Sequence, residues 1–462
     1  MKFERNCALV AAILPLLFLS WMGRAADIKA SGSGNWFSTV PGAPWPNGVV
    51  PRTNDSADVE SPFVVTVDST VTCAYLHGSG TVTLAPGVTL NILGDASDAF
   101  GAQQLAVLNA TAAGTTVNYR GNSFWAKRTD YYNLVFSGHG DFYNGSIFGS
   151  NAVPMNIAGD MILSGTSISV QQGADISIGG NFMLLGLSNK WDSSSFYLTV
   201  GSNTVVTGAR ALLMDLDGSL GSNYLGGNVI VGPTSLAWNI ADGTQWGVGG
   251  SLTNLGVISG TGHGSISFDG TGIITGKPLK LPTIAVNGTY RIGTTILLTN
   301  NTPILNGTLI FDIATTNQLV LQSDPSNPLT LFYSGNLEVV NSGPAPAPGN
   351  NYTLFSALGF GGGFDSTSFP NLPTGLSWVD NLAASGSISV EAVVPVITLS
   401  RNNQILTLSW DSGAFPGYSV EVQTNSLGIG TNWIPTGSGT ISPFATTLDP
   451  GSPPVFFRLA KP

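Results

Sequence analysis

The sequence predicts an all-β chain, a parallel β-helix (β-solenoid) followed by a small antiparallel β-sandwich, and three observations predict it. Only 9% of the 462 residues are charged, while 59 are glycine, so the charged faces that amphipathic helices need are missing. Short β-branched runs are broken throughout by Gly, Asn, Pro and Asp, the punctuation of strands and tight corners. The third observation is an internal repeat. Ile157-Ala158-Gly159-Asp160-Met161-Ile162-Leu163, Ile178-Gly179-Gly180-Asn181-Phe182-Met183-Leu184, Val200-Gly201-Ser202-Asn203-Thr204-Val205-Val206, Leu225-Gly226-Gly227-Asn228-Val229-Ile230-Val231 and Val248-Gly249-Gly250-Ser251-Leu252-Thr253-Asn254 share one order: apolar, two small residues, Asp/Asn/Ser, then a short strand.

From Asp160 through Asn181, Asn203 and Asn228 to Ser251 the steps are 21, 22, 25 and 23 residues. A coil of two or three strands of about five residues, joined by tight corners, has that length. Small residues let the backbone turn at each corner, and the Asp, Asn or Ser side chain bonds the turned backbone. Stacked copies of Asn181, Asn203 and Asn228 are expected to form a hydrogen-bonded ladder, with Asp141, in Gly138-His139-Gly140-Asp141-Phe142, as a further member upstream. At about 4.8 Å per coil, the region from about residue 60 to 390 holds roughly 15 coils over about 70 Å.

The flanks divide the rest. Lys2 and Arg5, a 14-residue apolar run from Ala8 to Trp21 and the small residues Gly23, Ala25 and Ala26 read as a signal peptide over residues 1–25. That run is short of the ~20 residues a spanning helix needs, so no membrane span is expected in the mature chain. Its removal moves the net charge from −10 to −12, a surface unsuited to nucleic acid. Cys7 leaves with the leader, and Cys73, alternating with apolar neighbours, reads as a buried, inert thiol. Residues 26–60, with Asn35-Trp36 and Trp45-Pro46, read as an irregular N-terminal cap. Residues 61–394 form the β-helix, although the Gly-Gly corners disappear after 284 and the register there is not legible. Residues 395–462 carry strand patterns around Trp410 and Val420 and read as the sandwich, with Trp410 in its core.

The run Tyr131-Tyr132-Asn133-Leu134-Val135-Phe136-Ser137-Gly138, followed by the Gly-Asp/Asn corners, resembles secreted bacterial β-helices of the autotransporter-passenger and filamentous-haemagglutinin type. Tyr352-Thr353-Leu354-Phe355-Ser356-Ala357 is similar to the segment that often closes such passengers. Leu408-Ser409-Trp410, Thr431-Asn432-Trp433 and Phe456-Phe457-Arg458-Leu459 resemble a fibronectin-type-III-like module. The resemblance implies a right-handed parallel β-helix acting at the cell surface as an adhesin, structural component or glycan-associated factor. The chain departs from an autotransporter in that residues 395–462 are too few for a membrane β-barrel.

Reactive groups are sparse. His77, His139 and His263, each flanked or closely followed by glycine, read as exposed corner residues rather than metal ligands or a triad. Asp215 and Asp217 share one face of a strand, where they either hold Ca²⁺, or divide acid and base work on a saccharide with Arg210 nearby to hold an anionic sugar, or, the reading favoured here, are outward acids of a solvated strand. In the second case the three are the candidate catalytic set. Trp125, Trp191, Trp238 and Trp246 are either sugar-stacking platforms or, the reading favoured here, buried side chains. No cofactor or metal is expected. The function expected is that of an exported, non-catalytic protein for adhesion or envelope structure, with polysaccharide or cell-surface components as partners. The alternatives are a β-helix polysaccharide lyase or glycoside hydrolase, and a glycan- or protein-binding role for residues 395–462.

Overall fold

The computed structural model describes residues 26–94, 105–126, 129–143, 154–193, 196–215, 222–235, 237–314, 321–425, 428–437 and 440–461; residues 1–25, expected as a leader, lie outside them. Three parallel sheets of 14, 11 and 8 strands dominate, and the chain visits them in turn. Met161–Leu163 lies on the 14-stranded face, Thr166–Gln171 on the 11-stranded face and Ile176–Ile178 on the 8-stranded face. Phe182–Leu184 then returns to the first face. Three-residue strands suffice because each needs only its two outer side chains inward, and in Met161–Leu163, Phe182–Leu184 and Val229–Val231 the middle residue alone is half-exposed.

Pairing runs residue on residue. Met161 lies against Phe182, Phe182 against Thr204, Thr204 against Val229 and Val229 against Leu252. Such columns make one apolar axis in which every inward side chain is covered from above and below. Thirteen steps along the 14-stranded face correspond to about 60 Å. Thr204 is the polar exception: it is fully buried and its hydroxyl has no hydrogen-bond partner among the described residues. Thr204→Val keeps the shape and removes the stranded hydroxyl, so it is expected to raise stability by about 1 kcal/mol. Chemical denaturation measures this, and a destabilised variant would show that the hydroxyl is bonded in solution.

The stack begins earlier than the composition suggested. Asp27–Lys29 and Gly34–Asn35, in the segment expected as an irregular cap, pair in parallel with Ser56–Asp58 and Val64–Val67. Trp36 and Trp45 are fully buried there, edge to face at 5.0 Å, and the Trp45 indole donates to the Trp36 carbonyl at 2.6 Å. Beyond residue 284 the winding continues to Ser366–Ser368. Asn351–Thr353, which lies before that last strand in the chain, forms an antiparallel sheet with Leu376–Asn381 and Ser387–Ala392, which lie after it. Further on, two three-stranded antiparallel sheets enclose Leu408, Trp410 and Val420. Among the described residues no helix is long and apolar enough to cross a membrane.

Candidate functional site: the corner columns

The most highly organised polar groups lie at the corners between faces. The backbone N–H of Asp160 donates to Asn133 Oδ1 at 2.9 Å, that of Asn181 to Asp160 Oδ1 at 2.7 Å and that of Asn203 to Asn181 Oδ1 at 3.2 Å. Asn228 donates to Asn203 Oδ1 at 3.0 Å, Ser251 to Asn228 Oδ1 at 2.8 Å and Ile273 to Ser251 Oγ at 3.1 Å. Each side chain thus supplies the acceptor that a turned backbone cannot. Below Asp160 the ladder continues through Asn133 and not Asp141. Leu134 pairs with Met161, which sets Asn133 level with Asp160, whereas Asp141 lies on the 11-stranded face opposite Ser169.

Glycines line the same corner because successive backbones nearly touch. A Cβ on Gly249 would lie 2.3 Å from the Gly226 carbonyl oxygen, one on Gly270 1.9 Å from that of Gly249, and one on Gly288 1.8 Å from that of Gly270. Asp269, Asn287 and Asn306 form a second ladder beside them: Asn287 Nδ2 donates to Asp269 Oδ1 at 2.8 Å and Asn306 Nδ2 to Asn287 Oδ1 at 3.1 Å. Asp269-Gly270, Asn287-Gly288, Asn306-Gly307 and Ser334-Gly335 are therefore the corners that carry the winding past residue 284, at steps of 18, 19 and 28 residues.

A different corner accounts for Arg210. Ser167, Ser188 and Arg210 stand in successive coils with φ of 54°, 56° and 59°. Their amides donate to Leu187, Ala209 and Thr234 carbonyls at 2.7, 2.7 and 2.8 Å. Arg210 is exposed and holds a left-handed turn, a conformation costing a non-glycine residue about 1 kcal/mol. Arg210→Gly is expected to leave stability within about 1 kcal/mol of wild type, since relief of that strain and glycine's greater unfolded freedom offset one another. Urea unfolding tests this, and a loss of several kcal/mol would mean that the guanidinium, not the turn, matters. Asp215 ends the strand Leu212–Asp215, and Asp217 lies outside the described residues.

Aspartates elsewhere in the stack serve backbone amides one coil away. Asp130 Oδ1 accepts from Asn156 at 2.9 Å, Asp175 Oδ1 from Tyr197 at 3.0 Å, Asp242 Oδ1 from His263 at 2.6 Å and Asp312 Oδ1 from Ser342 at 3.1 Å. The His263 amide and ring hold Asp242 below the usual carboxylate range. Burial draws Asp312 upward, but hydrogen bonds from Ser342 and Ala314 and the Arg291 guanidinium outweigh it and hold it low. Both carboxylates therefore favour the fold when ionised, above the ordinary Asp range, and that contribution fades as pH falls through it.

Trp191, Trp238 and Trp246 are fully buried and cannot be sugar platforms in this state: strand alternation turns them inward despite their polar neighbours. Trp238 and Trp246 pack edge to face at 5.3 Å, and Trp191 packs against Phe182 at 5.0 Å. The Trp125 side chain lies outside what is described. Trp410 is buried between the C-terminal sheets. Cys73 is fully buried, and burial pushes its thiol up to about 12, a group without thiolate reactivity near neutral pH.

His77 is not an exposed corner residue. It lies within the strand Tyr75–Leu84, its side chain 15% exposed, with Nε2 3.0 Å from Asp27 Oδ1 and Nδ1 3.7 Å from Asp58 Oδ1. His139 Nδ1 donates to the Thr166 carbonyl at 2.6 Å, and His263 pairs with Asp242 at 3.1 Å. Among the described residues no three His, Cys, Asp or Glu side chains meet in a metal-binding group.

Fold and corners together define an all-β parallel solenoid with an antiparallel C-terminal module. No family model matches the sequence, and no curated protein or solved structure is similar to it.

Proposed function

We propose that the protein is exported and non-catalytic, and that its solenoid presents a long polar surface outside the cell for adhesion or envelope structure. The observation that carries this reading is the use of the carboxylates. Asp130, Asp160, Asp175, Asp242 and Asp312 are each engaged by a backbone amide of the neighbouring coil, which suits acids that hold a scaffold and not a pair that divides acid and base work on a sugar. The resemblance to secreted β-helices of the passenger type and the leader-like first 25 residues point the same way.

Fractionation of the source cells tests location: the protein is expected in the medium or on the outer surface, and its confinement to the cytosol would reject the reading. Incubation with a panel of acidic and neutral polysaccharides tests catalysis. No reducing or unsaturated ends are expected; their release would instead support a lyase or hydrolase using Asp215, Asp217 and Arg210.

A further inference from the structure

The C-terminal module is a sandwich left open along one side. One sheet is ordered Thr398–Asn402, Ile405–Ser409, Phe444–Thr447, and the other Ile434–Pro435, Ser419–Thr424, Val455–Ala460. Phe444–Thr447 and Val455–Ala460 are thus outer strands, and neither contains a fully buried residue. Between them runs an open cleft of about 700 Å³ lined by Val422, Phe444, Val455 and Phe457, with Arg401 at its rim. The rings of Phe444 and Phe457 stand 6.2 Å apart across it.

The direction of the free backbone groups follows from the pairing. Leu448 donates its N–H to Gln404 O at 2.7 Å, so alternate residues Thr446 and Phe444 also face Ile405–Ser409, and Ala445 and Thr447 turn their amides and carbonyls to the open edge. In the other sheet Asn425 donates to Pro454 O at 3.3 Å, which turns the polar backbone groups of Val455, Phe457 and Leu459 outward. Two strand edges that are unpaired among the described residues, flanking an apolar floor, match the backbone of an extended peptide, which can pair with an edge and place alternate side chains inward. A saccharide offers no such regular donor–acceptor row.

Charge selects among peptides. Arg401 donates through Nε to the Asn403 carbonyl at 2.9 Å, and among the described residues its guanidinium has no ion-pair partner. The other cations of the module are engaged, Arg458 by Glu421 and Trp433 and Lys461 over Tyr418. The rim acid Asp449 already accepts the Gly451 amide and the Ser452 hydroxyl.

We infer that this seam binds an extended, acidic polypeptide segment, which adds as a strand beside Phe444–Thr447 and sets a carboxylate against Arg401. This concerns the module alone and does not depend on where the protein resides or what its solenoid does.

The test uses the full chain and a fluorescein-labelled peptide, SVTVEVTS, followed by anisotropy. Saturable binding is expected, at least tenfold weaker when the peptide's Glu is replaced by Lys and when its alternate amides are N-methylated. Arg401→Glu should reverse the Glu-over-Lys preference. Ala445→Pro removes only an outward N–H and should weaken binding at least tenfold with an unchanged circular dichroism spectrum; if that variant unfolds, Arg401→Glu and the N-methylated peptide still decide. Absence of saturable binding, equal binding of all three peptides, or an unchanged preference in Arg401→Glu would overturn the proposal. So would a neutral oligosaccharide that binds the module when the peptide does not.

Discussion

Gly288→Ala is expected to disrupt the stack across at least two coils. A Cβ at this position would lie 1.8 Å from the Gly270 carbonyl oxygen, a backbone atom with no freedom to rotate away. Relief requires moving the coils apart, which strains the bonds from Thr289 N–H to Gly270 O and from Thr308 N–H to Gly288 O, both 2.8 Å. A loss of about 3 kcal/mol is expected, at the upper end of overpacking. Because coils contact chiefly their neighbours, the damage should centre on residues 268–310 in hydrogen exchange, reach Val248 and Gly250 through the Tyr290 hydroxyl that bonds their carbonyls, and fade with distance. Gly363→Ala is the control: no described residue stands within 4 Å of its Cβ position and its φ is not positive, so it should be neutral or slightly stabilising. Equal stability of the two variants would contradict the close approach of successive backbones.

Trp238→Ala should destabilise by about 3–5 kcal/mol, as emptying a large buried site does. The side chain is fully covered and packs against Trp246 at 5.3 Å. Its indole N–H, however, has no hydrogen-bond partner among the described residues, so Trp238→Phe should cost much less than the lost volume alone implies, because it also removes a stranded donor. Denaturation of the two variants against wild type measures the difference. Strong quenching of the Trp238 fluorescence by acrylamide in the native protein would place the ring at the surface and sink this expectation.

What could be read in advance depended on how regularly a constraint recurs. Asp160, Asn181, Asn203, Asn228 and Ser251 recur at 21 to 25 residues behind paired small residues, because one corner geometry demands both a small backbone and a side-chain acceptor. Past residue 284 the constraint is the same, but a single glycine suffices, as at Gly288 and Gly307, and loop length varies, so the period dissolves while the stacking persists. Asn133 escaped notice because Tyr132 precedes it, and Gly140-Asp141 imitated the motif on another face. His77 was misread because adjacent glycine suggests a turn, whereas Gly78 and Gly80 sit within a strand where the backbone passes Val59 closely. The seam in the C-terminal module left no signature, since its meaning lies in which strand edges remain unpaired, a property of topology and not of local pattern.

The corner ladder has a direction. In all six steps from Asn133 to Ile273 the side-chain oxygen belongs to the earlier coil and the amide to the later one. At this corner a finished coil therefore holds out a prepared side-chain acceptor to the segment that follows it in the chain, whereas Asn189 and Asn223, at other corners, accept from the amides of the coil before. Along this ladder, each coil added toward the C-terminus finds its acceptor already in place, in the order in which a nascent polypeptide becomes available.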